Sequence, residues 1–413
     1  MRGGTATKVS AVAAVMDTLL GAMRAWRRLH VGPGRHEALL LVLWCAALVA
    51  GCAAPVTHAT TPAAPQATSL PTPVPTWTTL PMIALPAFAD WRAAYAGTDG
   101  LLHAVTFDGK TDLAGQPLPG LSSYGLMLVS AGASPNGKLV AYAATGLNIV
   151  DAAQVTPVSS AGMAAAYTMF WSPDGTRLAL GDNEGRFAIA DAGAGRTTPV
   201  PGSRPALFRT LDGWLDNTHV LIDGVSTGGN SIVLGALNIA DGRVRQIAAL
   251  PLERNVEYRI SLAPDGHEVL VYGWPYRDYL YTPFADLVDT TTGAHRLLPA
   301  LAARTPQGVG EVVWRPDSLA LAFSLNQQGA PAMILSLATG AATALTTAPA
   351  DETVAAWSPD GSTLIFSTGY QLGVGTGPFT VSAVSLTSGA LPRVTVLTND
   401  AMSFPFIGFV RTA

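Results

Sequence analysis

A five-residue unit recurs along the chain and limits what it can fold into. It is clearest as Trp171-Ser172-Pro173-Asp174-Gly175 followed by TRLAL, and as Trp357-Ser358-Pro359-Asp360-Gly361 followed by STLIF. Looser copies are Ala133-Ser134-Pro135-Asn136-Gly137, Leu262-Ala263-Pro264-Asp265-Gly266 and Trp314-Arg315-Pro316-Asp317-Ser318. A sixth, Trp214-Leu215-Asp216-Asn217, keeps the tryptophan and loses Pro and Gly. Proline fixes φ, aspartate bonds the backbone two residues on, and glycine takes positive φ, so each copy closes a tight hairpin. Anchored on residues 135, 173, 216, 264, 316 and 359, the spacings are 38, 43, 48, 52 and 43. A period in the forties with several short strands per unit indicates a β-propeller.

The strands after the turn are apolar on both faces (Leu178-Ala179-Leu180, Leu319-Ala320-Leu321), as a sheet sandwiched between two neighbours requires. A second turn follows the third strand of a unit, at 288–293, 336–340 and 385–389. The six anchors each start a blade. The stretch from Trp91 to Lys110 reads as second and third strands with no first strand before them. Phe404 to Val410 reads as a first strand with nothing after it. Joined, they complete a seventh blade and remove the free sheet edges. The expectation is an all-β, seven-bladed β-propeller closed by pairing of its N- and C-terminal strands, with six or eight blades as alternatives.

These residues resemble the WD40-like, TolB-type propeller repeat, in which W-S-P-D-G joins the innermost strand to the second. The resemblance covers about residues 91–413. It implies the fold and little about function, because such repeats serve as periplasmic import scaffolds, as peptidase accessory domains and in other surface proteins.

The N-terminus carries its own pattern. Arg24, Arg27, Arg28 and Arg35 precede an apolar run, Ala38 to Ala50, which ends in Gly51-Cys52. A basic segment, 13 apolar residues and a small-residue site have the layout of a secretory signal, and the run is short for a membrane span. Met23 is an alternative start. Leu48-Val49-Ala50-Gly51-Cys52 resembles the lipobox of bacterial lipoproteins, which implies cleavage after Gly51 and a diacylglycerol on the thiol of Cys52. Apart from Cys45, within the leader, the chain has no other cysteine. Ala53 to Pro81 is rich in Pro, Thr and Ala; such a segment favours extended polyproline II geometry, reaching at most on the order of 90 Å at ~3.1 Å per residue. The expected organisation is a signal peptide (1–51), a lipidated, disordered linker (52–85) and the propeller (86–413), held outside the cytoplasm on the cell membrane or the outer membrane.

Residues 1–51 contain six of the 24 basic residues and two of the 28 acidic ones, leaving 18 basic and 26 acidic groups in the body. With only Lys110 and Lys138 as lysines there, the body lacks the concentrated basic surface that nucleic acid requires.

Chemistry is sparse. Gly224-Val225-Ser226-Thr227-Gly228 matches a nucleophile elbow but sits between strands, where a helix should follow. His58, His103, His219, His267 and His295 are scattered and form no metal motif. Asp99, Asp108, Asp174, Asp212, Asp241, Asp265 and Asp360, each followed by glycine, read as turn-formers without EF-hand spacing. Gly373-Val374-Gly375-Thr376-Gly377 lacks the helix of a phosphate cradle. No cofactor is expected.

One loop stands out. Trp274-Pro275-Tyr276-Arg277-Asp278-Tyr279-Leu280-Tyr281 lies between the second and third strands of the fifth blade, on the face opposite the Pro-Asp-Gly turns. Trp274, Tyr276, Arg277, Asp278, Tyr279 and Tyr281 are the candidate ligand-binding residues, since rigid aromatic surface orders at low entropic cost; the plain alternative is that a long hairpin packs its own tyrosines on the blade below. The loop from Thr368 to Phe379 could wall the same cleft. The functional expectation is a non-catalytic binding or assembly scaffold for an envelope protein, peptide or glycan. The alternative is a lactonase- or lyase-like propeller enzyme, using Glu257, Arg259 and Glu311 on inner strands at the central channel.

Overall fold

The computed structural model describes residues 90–411 except 98, 100, 110–111, 118–129, 144–146, 154–156, 162–167, 183, 203–207, 209, 253–255, 276–283, 303–308, 326–329, 346–351, 369–378 and 387–392. The leader, Cys52 and the linker lie outside the described residues.

The described chain is an all-β, seven-bladed propeller. Five blades are separate four-stranded antiparallel sheets, and a seven-stranded sheet contains the other two. Counting the blade that holds Trp91 as the first, the innermost strands of blades 2 to 7 are Ser130–Ala133, Thr168–Trp171, Thr210–Trp214, Val256–Leu262, Val309–Trp314 and Glu352–Trp357. A single helical turn, Pro299–Ala302, is the helix among the described residues.

Closure occurs as the two half-blades require, with one refinement. The last strand, Arg393–Arg411, runs unbroken for 19 residues. Its first part pairs with Phe379–Ser385 as the outer strand of blade 7. Its last part pairs with Trp91–Gly97 as the inner strand of blade 1, in the register Trp91↔Arg411 to Ala94↔Gly408. One strand therefore serves two blades.

Each blade buries both faces, so the core is divided among the seams. Among the described residues seven clusters of buried side chains occur, one between each pair of neighbouring blades. Side chains alternate between seams with the period of two that a strand imposes: Ala93 and Tyr95 face blade 7, while Ala94 and Ala96 face blade 2.

The repeat builds these seams twice over. In the turn, the buried Ser172 Oγ donates to Asp174 Oδ1 (2.6 Å) and accepts from the Arg177 N–H (3.0 Å), and Asp174 Oδ1 accepts from the Thr176 N–H (2.9 Å). Ser358, Asp360 and Thr363 repeat the arrangement. The glycine is left-handed at Gly175 and Gly361 (φ 69° and 67°), and Ser318 adopts φ 59° in the copy that lacks it.

The tryptophan then ties its blade to the one before. The indole N–H of Trp171 donates to Gly132 O (2.9 Å), Trp214 to Phe170 O (2.9 Å), Trp314 to Ser261 O (3.1 Å) and Trp357 to Val313 O (3.2 Å). Where the repeat has Ala133 or Leu262 instead, the preceding inner strand bulges and brings a glycine against the substitute. Gly408 (φ 148°) approaches Ala133 and Gly213 (φ 140°) approaches Leu262; a Cβ on Gly408 would lie 2.6 Å from that of Ala133.

Two outcomes are expected from urea denaturation. Trp357→Phe removes one inter-blade hydrogen bond and costs about 1–2 kcal/mol. Gly408→Ala adds a backbone clash at a φ that side chains avoid and costs about 2–3 kcal/mol.

Candidate functional site

The candidate site begins where blade 5 meets the channel. Val256–Leu262 is its inner strand and Glu268–Pro275 the second; they pair from Leu262↔Val269 to Glu257↔Trp274 and Val256↔Pro275. The Ala263–His267 turn closes one end of this hairpin. The Trp274 loop therefore leaves from the other end, level with the first residues of the inner strand. Trp274 and Pro275 are strand residues by backbone. Tyr276, Arg277, Asp278, Tyr279 and Tyr281, and the loop 369–378 of blade 7, lie outside the described residues.

Alternation along the inner strand sends its side chains to two seams. Glu257 and Arg259 are exposed, and Arg259 faces blade 6, where its guanidinium pairs with Glu311 of Val309–Trp314. Tyr272, opposite Arg259 in register, is buried and donates its hydroxyl to Gly310 O (3.1 Å) in the same blade 6 strand. Ser324 Oγ accepts from the Glu311 N–H (3.0 Å), fixing that strand in turn. Burial opposes charge on Arg259, and the Glu311 carboxylate more than offsets this, so the pKa of Arg259 is raised. Burial also raises the pKa of Tyr272, with the Glu311 charge adding to it. The structure thus brings Arg259 and Glu311 together and leaves Glu257 one turn of the pleat closer to the mouth.

The other face of the strand points to blade 4 and holds a group that the sequence did not reveal. Tyr258 donates its hydroxyl to Asp223 Oδ2 (2.6 Å), and Asp223 is buried. Asp212 lies beside it on Thr210–Trp214, with an Oδ2 that is sealed from solvent and has no hydrogen-bond partner. Burial, and then the Asp223 carboxylate, raise the pKa of Asp212 well above the usual carboxylate range. Reading Asp212-Gly213 as a turn is therefore corrected: both residues lie inside the inner strand. They form a bulge, since Leu211 pairs with Ile222 and Gly213 with Leu221. A usable clue was available, because the dipeptide sits directly before the repeat tryptophan, where other copies have strand residues.

The remaining motifs have structural roles. Residues 224–228 end one strand and start a hairpin turn, in which Ser226 Oγ accepts from the Ser231 N–H (3.1 Å) and donates to Asn230 Oδ1 (2.9 Å). His103, His219 and His295 each pair with one carboxylate, Asp99, Asp216 and Asp286, at 3.0–3.1 Å. No group of three or more His, Cys, Asp or Glu suited to a metal occurs among the described residues.

These contacts differ in worth. Arg259 and Glu311 are about half exposed, so a double-mutant cycle between them is expected to give a coupling under ~1 kcal/mol. Tyr272→Phe leaves a carbonyl in the seam without its donor and is expected to cost about 1–2 kcal/mol. Urea denaturation of the four variants and the wild type checks both.

No family model matches the chain, and no curated protein sequence matches it. The fold is similar to solved propellers. A TolB from Agrobacterium tumefaciens is 17% identical, with 61% of this chain and 85% of that one covered and a TM-score of 0.44. TolB from Acinetobacter baumannii is 15% identical, with 78% and 83% covered and a TM-score of 0.44. An oligogalacturonate lyase in complex with manganese is 17% identical, with 56% and 65% covered and a TM-score of 0.41. At these identities, and with TM-scores below 0.5, the likeness assigns no role to this chain.

Proposed function

We propose that this chain is an exported propeller, anchored by lipid at Cys52, that works at the cell envelope as a non-catalytic binding or assembly scaffold. Its partner is a protein, peptide or glycan engaged by the blade 5 loop through Trp274, Tyr276, Arg277, Asp278, Tyr279 and Tyr281. The observation that carries this reading is the register Glu257↔Trp274. It sets the root of an aromatic loop level with the start of an inner strand, and ligand sites favour the concave ends of such channels. The neighbouring Arg259 and Glu311 neutralise one another, which suits a recognition surface better than general acid–base chemistry, where a group must exchange its proton freely. The leader and the Pro/Thr/Ala stretch supply the route and the tether.

Two experiments test it. Labelled fatty acid is expected to enter the wild type and not Cys52→Ala, which should leave the membrane fraction; equal labelling would remove the anchor from the proposal. Pull-down from membranes should recover a partner with the wild type and lose it with Trp274→Ala/Tyr276→Ala. Undiminished recovery by a folded double variant would move the binding face elsewhere.

A further inference from the structure

The residue two places before the repeat tryptophan, or its substitute, follows a rule that one blade breaks. In chain order it is Ala131, Met169, Asp212, Ile260, Val312, Ala355 and Ile407. Six are apolar, and the seventh is the acid. The comparison is sharpest with blade 1, which has the same bulge: there the register shift leaves Ile407 buried against blade 2 next to Gly408. Blade 4 has Asp212 next to Gly213 instead.

Asp212 also meets a second carboxyl group. Thr210 pairs with Asp223, and Asp223, like Leu221 two residues earlier, faces blade 5. The hydrogens near the pair do not suffice for two carboxylates. Tyr258 from blade 5 supplies one, to Asp223 Oδ2 (2.6 Å), and Asp212 Oδ2 receives none. Nothing else that titrates faces the pair among the described residues. Ser231–Asn238 and Thr168–Trp171 contain no titratable side chain. In Arg177–Gly181 the one cation, Arg177, lies over the Trp214 ring. In blade 5, Arg259 and Glu257 are on the blade 6 side of the strand, and Glu268–Pro275 packs Val269 and Val271 against blade 4. Asp223 is buried and Asp212 is half-buried with its Oδ2 sealed from solvent, so two carboxylates with one donor need one more positive charge, because an unpaired charge shut off from water is not tolerated.

We propose that the seam between blades 4 and 5 is a proton-dependent joint, in which a proton on Asp212 directed at Asp223 holds the two blades together and its loss loosens them. The seam is suited to this because it lacks the indole hydrogen bond; Leu262 stands where Trp171, Trp214, Trp314 and Trp357 donate. Blade 5 carries Trp274 at the end of Glu268–Pro275, so, resting on the function proposed above, the joint links pH to the blade that bears the binding residues. Burial and the neighbouring charge act in the same direction on Asp212. The sign is fixed by that direction: a carboxyl group raised in the folded state contributes its full stability below the ordinary aspartate range near pH ~3.9, and loses it as pH rises through the raised value.

The test uses the full-length chain in detergent, with urea midpoints from pH 5 to 8. In the wild type the folding equilibrium constant should fall, by up to about tenfold per pH unit. Asp212→Asn, which keeps a donor without the charge, should be flatter over the same range. Hydrogen exchange, corrected for its intrinsic pH dependence, should rise with pH in His219–Val225 and Val256–Leu262 and not in Arg177–Gly181. Parallel pH curves for the two proteins, or a uniform rise in exchange, would overturn the proposal. So would millimolar calcium or manganese restoring pH 5 protection at pH 8, since the missing charge would then be a metal. If Asp212→Asn does not fold, the infrared band of a protonated carboxyl group in the wild type at neutral pH decides; its absence rejects the joint.

Discussion

Every blade in this ring must bury two faces, and it can do so only if its neighbours on both sides stay in place. The strand Arg393–Arg411 enforces that condition, because it is hydrogen-bonded to blade 7 along its first part and to blade 1 along its last. Without it, both flanks of the array would expose unpaired backbone and an apolar sheet face. The seven seam clusters are therefore not independent cores. Each is the shared property of two sheets, so a change at one position, such as Ala93 or Ala94, acts on a different seam according to its parity along the strand.

The seams are built to one plan with local exceptions. Four use an indole N–H donated to the preceding inner strand. Two replace the indole by a small or aliphatic side chain and close the gap by bulging a glycine toward it. The exchange conserves contact while losing a directional hydrogen bond. In both cases the inner strand carries one extra residue, as the inner strands of blades 6 and 7 also do, and a bulge re-aims that residue's side chain. At blade 1 the extra residue is apolar, so the seam is an ordinary core. At blade 4 it is Asp212, and a departure from the repeat becomes a group whose charge state matters to the joint.

Most of the fold was legible because a propeller repeats its local rules. The Pro-Asp-Gly turns are contained within a few residues, and their chemistry depends on φ and on a side chain two residues away. Their spacing counted the blades, and the two half-blades at Trp91 and Phe404 disclosed the closure. The candidate site was less legible. The aromatic loop was visible by composition, whereas the Arg259–Glu311 pair required knowing that residues 52 positions apart stand on adjacent inner strands. Asp212 was misread because Asp-Gly is a turn signal in isolation, and Asp223 was not singled out at all. Only the bulge between Leu211 and Gly213 turns the two toward one another.

By itself, then, the amino-acid sequence determined the all-β class, the repeat unit, the seven blades and the way the ring closes, since these follow from turn chemistry, strand alternation and the need to pair both ends. It also set the loop at Trp274 apart from the rest. The tertiary structure alone decided which residues share a seam: that Trp214 reaches Phe170, that Tyr258 reaches Asp223, and that Asp212 has an Oδ2 sealed from solvent without a donor. The physical reason is that these contacts form between blades. A side chain's seam is chosen by register and bulge position, and a one-residue shift in either redirects it to the opposite face.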